Sequence, residues 1–327
     1  MNTIYFKNKP SILKTYTVAG PKEGKGSLGK YYDIVIGEDT FGEKTFEKAE
    51  RKIMFTAVNR LMEKIKDNPV DVLILGDLLN QNITASFTAR ELGLPLLGVY
   101  SACSSFTESL LLGSSMIDGG YLKGVISGTS SHFSSAERQY RYPLELGCTR
   151  PPLSQWTVTG AGCCYLGAHT ADMPYISCAT IGTVKDYGVT DANDMGAAMA
   201  PAAADTIFNH IKNTNSSPDD YDLIVTGDLG SFGSRILKDL LWEKGMDVDR
   251  QHVDCGEMVF NMEESEYQGG SGAGCSALVF CSYIYNLIKE KKYKKILLAA
   301  TGALLSSLTT QQGESIPSIS HAVEIGV

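Results

Sequence analysis

Several segments of the chain recur in the same order, and this internal repeat constrains the fold more than any other sequence feature. DVLILGDLL at 71–79 reappears as DLIVTGDLG at 222–230, which aligns Asp77 with Asp228. Two further segments recur downstream: SACSS (101–105) as AGCSA (273–277), and YLKGVISGTSS (121–131) as YKKILLAATGA (293–303). A two-fold repeat of this kind indicates a duplicated unit and is too short a series for a solenoid.

Within each copy, strand-like runs alternate with helix-like runs. TFEKAERKIMFTAVNRLMEKIK at 45–66 spaces Ala49, Ile53, Ala57 and Leu61 four residues apart, which predicts one apolar helical face. In the matching place, the alanine-rich 195–212 predicts a helix that packs closely, and we expect it between two sheets. The alternation predicts an α/β fold with largely parallel sheets covered by helices.

The length of the chain agrees with two units. At 327 residues it is long enough for two domains of about 150 residues each. Pro-Pro and Gly turn signals at 147–164 close the first copy. We therefore expect halves at 1–170 and 171–327.

Composition excludes several classes of protein. The net charge of −8 and the pI near 5.2 provide no positive field for a phosphate backbone, so nucleic acid is not an expected partner. No stretch reaches the roughly 18 apolar residues needed to span a bilayer, and no signal peptide is expected. The eight cysteines form no CxxC pair, which favours reduced thiols in an intracellular compartment and no metal site.

Cys103 is the first candidate for a functional residue. It follows the apolar run LPLLGVY and precedes a helix-like stretch, in which Ser105 and Glu108 have capping-box spacing. A thiol at a helix N-terminus is placed where a thiolate or a ligand carboxylate is favoured. The alternative is a small residue buried at a tight turn.

A duplicated α/β unit with a cysteine at this turn resembles the thiolase and ketoacyl-synthase superfamily over nearly the whole chain. The resemblance implies a thiolase-like fold of two βαβαβ-type halves that form a layered αβαβα core. In the ketoacyl-synthase III branch of the superfamily, the second copy supplies a His after the strand at 222–226 and an Asn or His near 270–275, where this chain has TGDLG and GGSGAGCSA. Thiolases also place a Cys where this chain has Thr301, Gly302 and Ala303.

These replacements remove the base and oxyanion donors that Claisen chemistry requires. We therefore expect no catalytic residues, with Cys103 a vestigial nucleophile. His132 and His321 lie in turns that predict a place near the pocket, and either is equally compatible with a structural role. For Asp77 and Asp228, helix capping is the favoured interpretation and ligand binding the alternative.

Within the superfamily, longer strings resemble the stage V sporulation protein AD family: GDLLNQN (76–82), SSHFSSAERQYRYP (130–143), DMGAAMAPAAADTI (194–207), GGSGAGCSA (269–277) and ATGALLS (300–306). This resemblance implies a non-catalytic subunit that binds pyridine-2,6-dicarboxylate (dipicolinic acid), alone or as its calcium chelate. It also implies SpoVA-type membrane proteins as partners, a peripheral place at the forespore inner membrane, and a homodimer.

The expected ligand-binding residues are Cys103, His132, Asp228, Ser271, Thr301 and His321, and no cofactor is expected. Hydroxyls, histidines and a helix N-terminus suit a flat ring with two carboxylates, although they do not single it out. Two other functions stay open: a cysteine-dependent acyltransferase or thioesterase with His132 or His321 as its base, and a structural subunit with a vestigial pocket.

Overall fold

The computed structural model describes residues 2–141, 143–147, 149–261 and 267–327. The strands are β1 (Thr3–Tyr5), β2 (Ser11–Ala19), β3 (Ile34–Val35), β4 (Val72–Gly76), β5 (Leu96–Gly98), β6 (Gly124–Ser131), β7 (Trp156–Thr157), β8 (Gly160–Gly167), β9 (Tyr175–Thr180), β10 (Leu223–Thr226), β11 (His252–Asp254), β12 (Gly270–Ser271), β13 (Lys295–Ala303) and β14 (Ser318–Gly326). The helices are α1 (Pro21–Gly24), α2 (Phe46–Lys64), α3 (Ile83–Leu92), α4 (Ser105–Asp118), α5 (Phe133–Tyr140), α6 (Met195–Thr214), α7 (Gly230–Trp242), α8 (Cys255–Val259), α9 (Ala273–Val279), α10 (Tyr285–Lys289) and α11 (Ser307–Gln311).

The two halves of the chain build the same strand arrangement. The first half-sheet has the order β5-β4-β6-β8-β2, and the second half-sheet has the order β11-β10-β13-β14-β9. In both, the first three strands are parallel and the last two pair antiparallel. This is the architecture that the internal repeat predicts.

The expectation of largely parallel sheets is wrong for half of these pairings. After β13 the chain passes through α11, and after β6 it passes through α5 and the short strand β7. In both cases the next long strand lies antiparallel beside the strand that the chain has just left. The chain does not make the full crossover that a parallel neighbour requires.

A single residue pair joins the two half-sheets. Ser11 in β2 pairs with Tyr175 in β9, so the strands form one continuous hydrogen-bonded network. β1 adds to β9 and β3 adds to β2, while β7 and β12 form a separate two-stranded sheet. The boundary at residue 170 falls between β8 and β9 and stays a prediction.

Three apolar clusters define the layers. One lies between the half-sheets around Phe106 of α4 and Phe280, and it includes residues of both halves. A second cluster joins α2 and α3 to the outer face of the first half-sheet, and a third joins α6 and α7 to the outer face of the second. The resulting order is helix, sheet, helix, sheet, helix.

The helix positions follow the sequence pattern closely, with one exception. Ala49, Ile53, Ala57 and Leu61 are all buried on α2, as their spacing predicts. The expectation that α6 lies between two sheets is wrong, because α6 packs on β13 and β14 on one side and against α7. Its alanines permit close approach to this sheet and to its neighbouring helix.

Within the described residues, no helix is both long and apolar enough to cross a membrane. The seven cysteines of this part of the chain are buried free thiols, and Cys148 lies outside the described residues.

Candidate functional site

Cys103 lies in the turn that connects β5 to α4, and the second half of the molecule fixes this turn in place. Ala102, just before it, has a φ of +49°, which is uncommon for a residue other than glycine. The Ser104 hydroxyl donates to the Ala300 carbonyl at 2.7 Å and accepts from the His321 backbone N–H at 3.0 Å. The turn is therefore anchored on β13 and β14.

The expected capping box at the start of α4 does not form. The Ser105 hydroxyl donates to the Ala102 carbonyl at 2.7 Å, within the turn itself. Glu108 accepts a hydrogen bond from the Ser101 hydroxyl at 2.8 Å. Serines on both sides of Cys103 therefore stabilise the turn. Glu108 bonds to Ser101 before the turn and does not cap the start of α4.

A cavity opens beside the Cys103 thiol. It is narrow and has about 470 Å³ of empty space when its open mouth is included. Apolar and aromatic side chains dominate its wall. The lining residues are Leu78, Tyr100, Ala102, Cys103, Ala136, Tyr140, Arg141, Thr157, Met195, Met199, Ser271, Gly272, Ala303 and Leu305.

Asp228 lies beside the Cys103 thiol. Its Oδ2 atom accepts from the Gly272 backbone N–H at 2.9 Å and from the Ser271 hydroxyl at 3.1 Å. Burial raises the pKa of Asp228 to about 7. Burial first, and then the nearby Asp228 charge, raise the pKa of Cys103 well above its usual value. The thiol is therefore protonated near neutral pH.

Asp77 and Asp228, which the sequence repeat aligns, have different roles in the structure. Asp77 accepts from the backbone N–H groups of Leu79 and Ala85, so its role at the start of α3 agrees with the favoured capping interpretation. For Asp228 that interpretation is wrong. The N–H groups of Leu229 and Gly230 at the start of α7 bond instead to Asp254, at 2.9 and 3.0 Å. Asp254 thus frees Asp228 to face Cys103.

His321 is held in one neutral tautomer behind the turn. Its Nδ1 accepts from the Gly182 backbone N–H at 3.2 Å, so the ring proton is on Nε2. Nε2 lies 3.3 Å from the Ser101 hydroxyl oxygen, which in turn donates to Glu108. Burial lowers the pKa of His321 to about 4. The ring therefore supports the turn and presents no basic nitrogen to Cys103.

His132 is occupied in a different place. It caps α5 through Nδ1, which accepts from the Ser134 backbone N–H at 3.1 Å, and its Nε2 donates to the Asp39 carbonyl at 2.8 Å. Burial lowers its pKa. His132 does not line the cavity, so a ligand role for it stays a prediction.

The structure thus brings Cys103, Asp228 and Ser271 together. Thr301 is buried in β13, next to Ala300 and Gly302, which contact the Cys103 turn, but it does not line the cavity. Its role in ligand binding also stays a prediction.

Sequence reasoning missed Arg141, the one cationic side chain among the described residues that line the cavity. Its Nη1 pairs with Glu137 Oε2 at 3.2 Å and its Nε donates to the Ala192 carbonyl at 3.4 Å. No described residue accepts from its Nη2. Its side chain is only 6% exposed, and burial lowers its pKa. The i, i+4 spacing of Glu137 and Arg141 was the available signal.

Comparison with known proteins places the chain in a family. The family model described as stage V sporulation protein AD (SpoVAD) matches residues 1–326. The chain is 46% identical to the stage V sporulation protein AD of Bacillus subtilis (strain 168) over 323 residues. The match covers 98% of this chain and 95% of that protein.

Solved structures show the same fold at low sequence identity. The 3-oxoacyl-[acyl-carrier-protein] synthase III from Aquifex aeolicus VF5 has a TM-score of 0.59 and 14% identity, covering 97% of this chain and 100% of that one. A variant of OleA from Xanthomonas campestris has a TM-score of 0.60 and 14% identity, with 99% of each chain covered. The predicted thiolase-like α/β fold is confirmed, and the chain belongs to the stage V sporulation protein AD family of sporulation proteins.

Proposed function

We propose that this chain is a non-catalytic subunit that binds dipicolinate in the Cys103 cavity and assists its movement in sporulation and germination. The observation that carries the proposal is the buried Arg141 guanidinium, which lines this apolar cavity and whose Nη2 has no hydrogen-bond partner among the described residues. A buried cation of this kind favours a ligand carboxylate.

The lining of the cavity suits an aromatic ring. Apolar side chains such as Met199 and Leu305 can pack on such a ring. Thr157 also lines the cavity, and its hydroxyl makes no hydrogen bond to a described side chain, so it offers a second donor. With one carboxylate on Arg141, the other can accept from Thr157, and protonation of Asp228 removes a repulsive charge.

The chemistry at Cys103 supports binding over catalysis. A nucleophilic thiolate needs a nearby base or positive charge. Here the neighbour is the Asp228 carboxyl, which disfavours the thiolate, and His132 and His321 each use both ring nitrogens elsewhere.

Calorimetric titration with dipicolinate, with and without calcium, tests the proposal. We expect saturable binding to the wild type and an affinity at least about 10-fold lower for Arg141→Gln, because a charge-assisted hydrogen bond is lost. Arg150→Gln is the matched control. Arg150 pairs with the same Glu137 oxygen at 2.9 Å but does not line the cavity.

Two results would overturn the proposal. One is the absence of saturable heat for both forms of the ligand. The other is an equal loss of affinity in the Arg141 and Arg150 variants, which would assign the effect to Glu137 and the surrounding structure. Circular dichroism of each variant verifies that it is folded.

A cysteine acyltransferase is a second candidate, favoured only by the retained turn with its positive φ at Ala102. Incubation with a panel of acyl-CoAs followed by intact-mass measurement tests it. A Cys103-dependent acyl adduct supports it, and its absence removes it.

The partners form a separate part of the proposal. Family membership supports assembly with the SpoVA-type membrane proteins at the forespore inner membrane. Co-expression of the chain with those proteins, followed by membrane flotation, tests this. We expect the chain in the membrane fraction only when they are present.

A further inference from the structure

Three buried side chains from distant parts of the sequence meet on the face of the second half-sheet that α6 covers. Cys178 in β9 is directly opposite Glu324 in β14 in the antiparallel register. His210 approaches them from α6. The cysteine sulfur, an imidazole nitrogen and a carboxylate oxygen all lie within 4.8 Å of one another. None of the three lines the Cys103 cavity.

The His210 ring has an unused nitrogen in this cluster. Its Nδ1 is 2.8 Å from the Thr180 hydroxyl oxygen, which is itself 2.8 Å from the Thr3 hydroxyl oxygen. Its Nε2 has no hydrogen-bond partner among the described residues, although the residue is fully buried. Glu324 Oε2 lies 3.6 Å from Nε2, beyond hydrogen-bond distance. A buried polar atom without a partner is costly and calls for an explanation.

Hydrogen bonds to residues outside the cluster hold the His210 and Glu324 side chains in place. A histidine whose Nδ1 is held by a hydroxyl can present the Nε2 lone pair to an ion. The Ser177 hydroxyl donates to Glu324 Oε1 at 2.6 Å, and the Tyr221 hydroxyl donates to Oε2 at 2.8 Å. The carboxylate is therefore fixed by residues outside the cluster.

We propose that Cys178, His210 and Glu324 bind one divalent transition-metal ion of the zinc type. Sulfur and nitrogen ligands select zinc over magnesium or calcium, which prefer oxygen. Tetrahedral zinc places its ligand atoms about 3.5 Å apart, so the side chains need to close by roughly 1 Å. A water molecule supplies the fourth ligand.

Charge balance permits this ion. On binding, the Cys178 thiol releases its proton to solvent, and the thiolate and carboxylate together neutralise a divalent cation. Lys295 Nζ, 3.1 Å from Glu324 Oε2, stays as an outer partner of the carboxylate. The bound ion joins α6 to β9 and β14. The spacing of cysteines along the sequence could not indicate such a site, because its ligands come from three separate elements.

Cobalt titration of the full chain, stripped of metal with a chelator, tests the proposal. We expect one equivalent of Co²⁺ to produce a cysteinate-to-cobalt charge-transfer band, and Zn²⁺ to displace it. Cys178→Ser removes the band and lowers the affinity at least about 10-fold. Cys281→Ser is the matched control, since both cysteines are 2% exposed and Cys281 lies outside the cluster.

Absence of the band in the wild type overturns the proposal, and so does its persistence in Cys178→Ser. Glu324→Gln provides a second variant should Cys178→Ser fail to fold. Its amide oxygen can still accept from one of the Ser177 and Tyr221 hydroxyls while its NH2 group donates to the other, so we expect it to keep the charge-transfer band with a weaker Co²⁺ affinity. An unchanged affinity in this variant would also contradict the site.

Discussion

The environment of Cys103 disfavours a thiolate. Burial, together with the Asp228 carboxyl beside the thiol, raises the pKa of Cys103. Asp254 makes this possible, because it caps α7 and leaves Asp228 free. Cys103 therefore lines the cavity as a protonated thiol near neutral pH.

Asp228→Asn should make the Cys103 thiol more acidic. The amide keeps an oxygen for the Ser271 hydroxyl and the Gly272 N–H but carries no charge, so the pKa of Cys103 falls toward its usual range. The rate of alkylation at Cys103, followed against pH by peptide mass spectrometry, measures this. An unchanged pH profile would mean that burial alone suppresses the thiolate.

The same variant should change how stability depends on pH. The pKa of Asp228 is about 7 in the folded chain and about 3.9 when unfolded, so the folded state holds the proton more tightly. Its stabilising contribution is complete below pH 4 and is lost as the pH rises to 7, by on the order of 3 kcal/mol. Urea denaturation at pH 5 and pH 8 should show a smaller difference for Asp228→Asn than for the wild type.

Among the helices and strands, the spacing of apolar residues correctly predicted the buried helical face of α2. The predicted capping bond at the start of α4 was wrong, because tertiary contacts decide which partners its side chains take. The four-residue spacing of Ala49 to Leu61 located α2, because one helical face must be apolar. The capping box of Ser105 and Glu108 is absent, because nearer partners compete for both side chains. Strand direction was also mispredicted, since the βα alternation does not show where a chain turns back.

The Cys103 turn packs so closely on β13 that it requires a glycine at position 302. A Cβ atom there would lie 2.0 Å from the Ser101 carbonyl oxygen, which is a backbone atom. We expect Gly302→Ala to lower the free energy of unfolding by about 1–3 kcal/mol and to weaken any ligand binding in the cavity. Denaturant titration measures the first effect.

Gly37→Ala is the control for this prediction. A Cβ atom at Gly37 meets nothing within 4 Å, so its stability should match or slightly exceed that of the wild type. Equal stabilities for the two variants would show that the turn adjusts without cost.

For the molecule as a whole, the internal sequence repeat predicted two half-sheets of the same strand order, because duplication of a unit preserves that order. The sequence predicted Cys103, Asp228 and Ser271 as site residues, which the structure brings together, but not Arg141, which carries no motif. The proposed ligand follows from family resemblance, and the residues alone are compatible with several small anions.

The predicted homodimer can be tested at the free edge of the first half-sheet. β5 ends that half-sheet, and Leu97 and Tyr100 at this edge are 41% and 45% exposed. Edge strands with exposed apolar residues favour pairing with another strand. We expect a dimer in sedimentation velocity, and Leu97→Lys should shift it toward monomer. Trp242→Lys, at an exposed site on α7 in the other half, should leave it unchanged.

The position of β14 has a consequence for biosynthesis. It lies between β13 and β9, so each of these strands depends on it for the hydrogen bonds along one edge. The ribosome makes β9 more than a hundred residues before β14. Throughout that interval one edge of β9 is open to solvent and to other nascent chains. The second half-sheet can therefore be completed only after β14 has been synthesised, and a partly made chain leaves an edge of β9 unpaired.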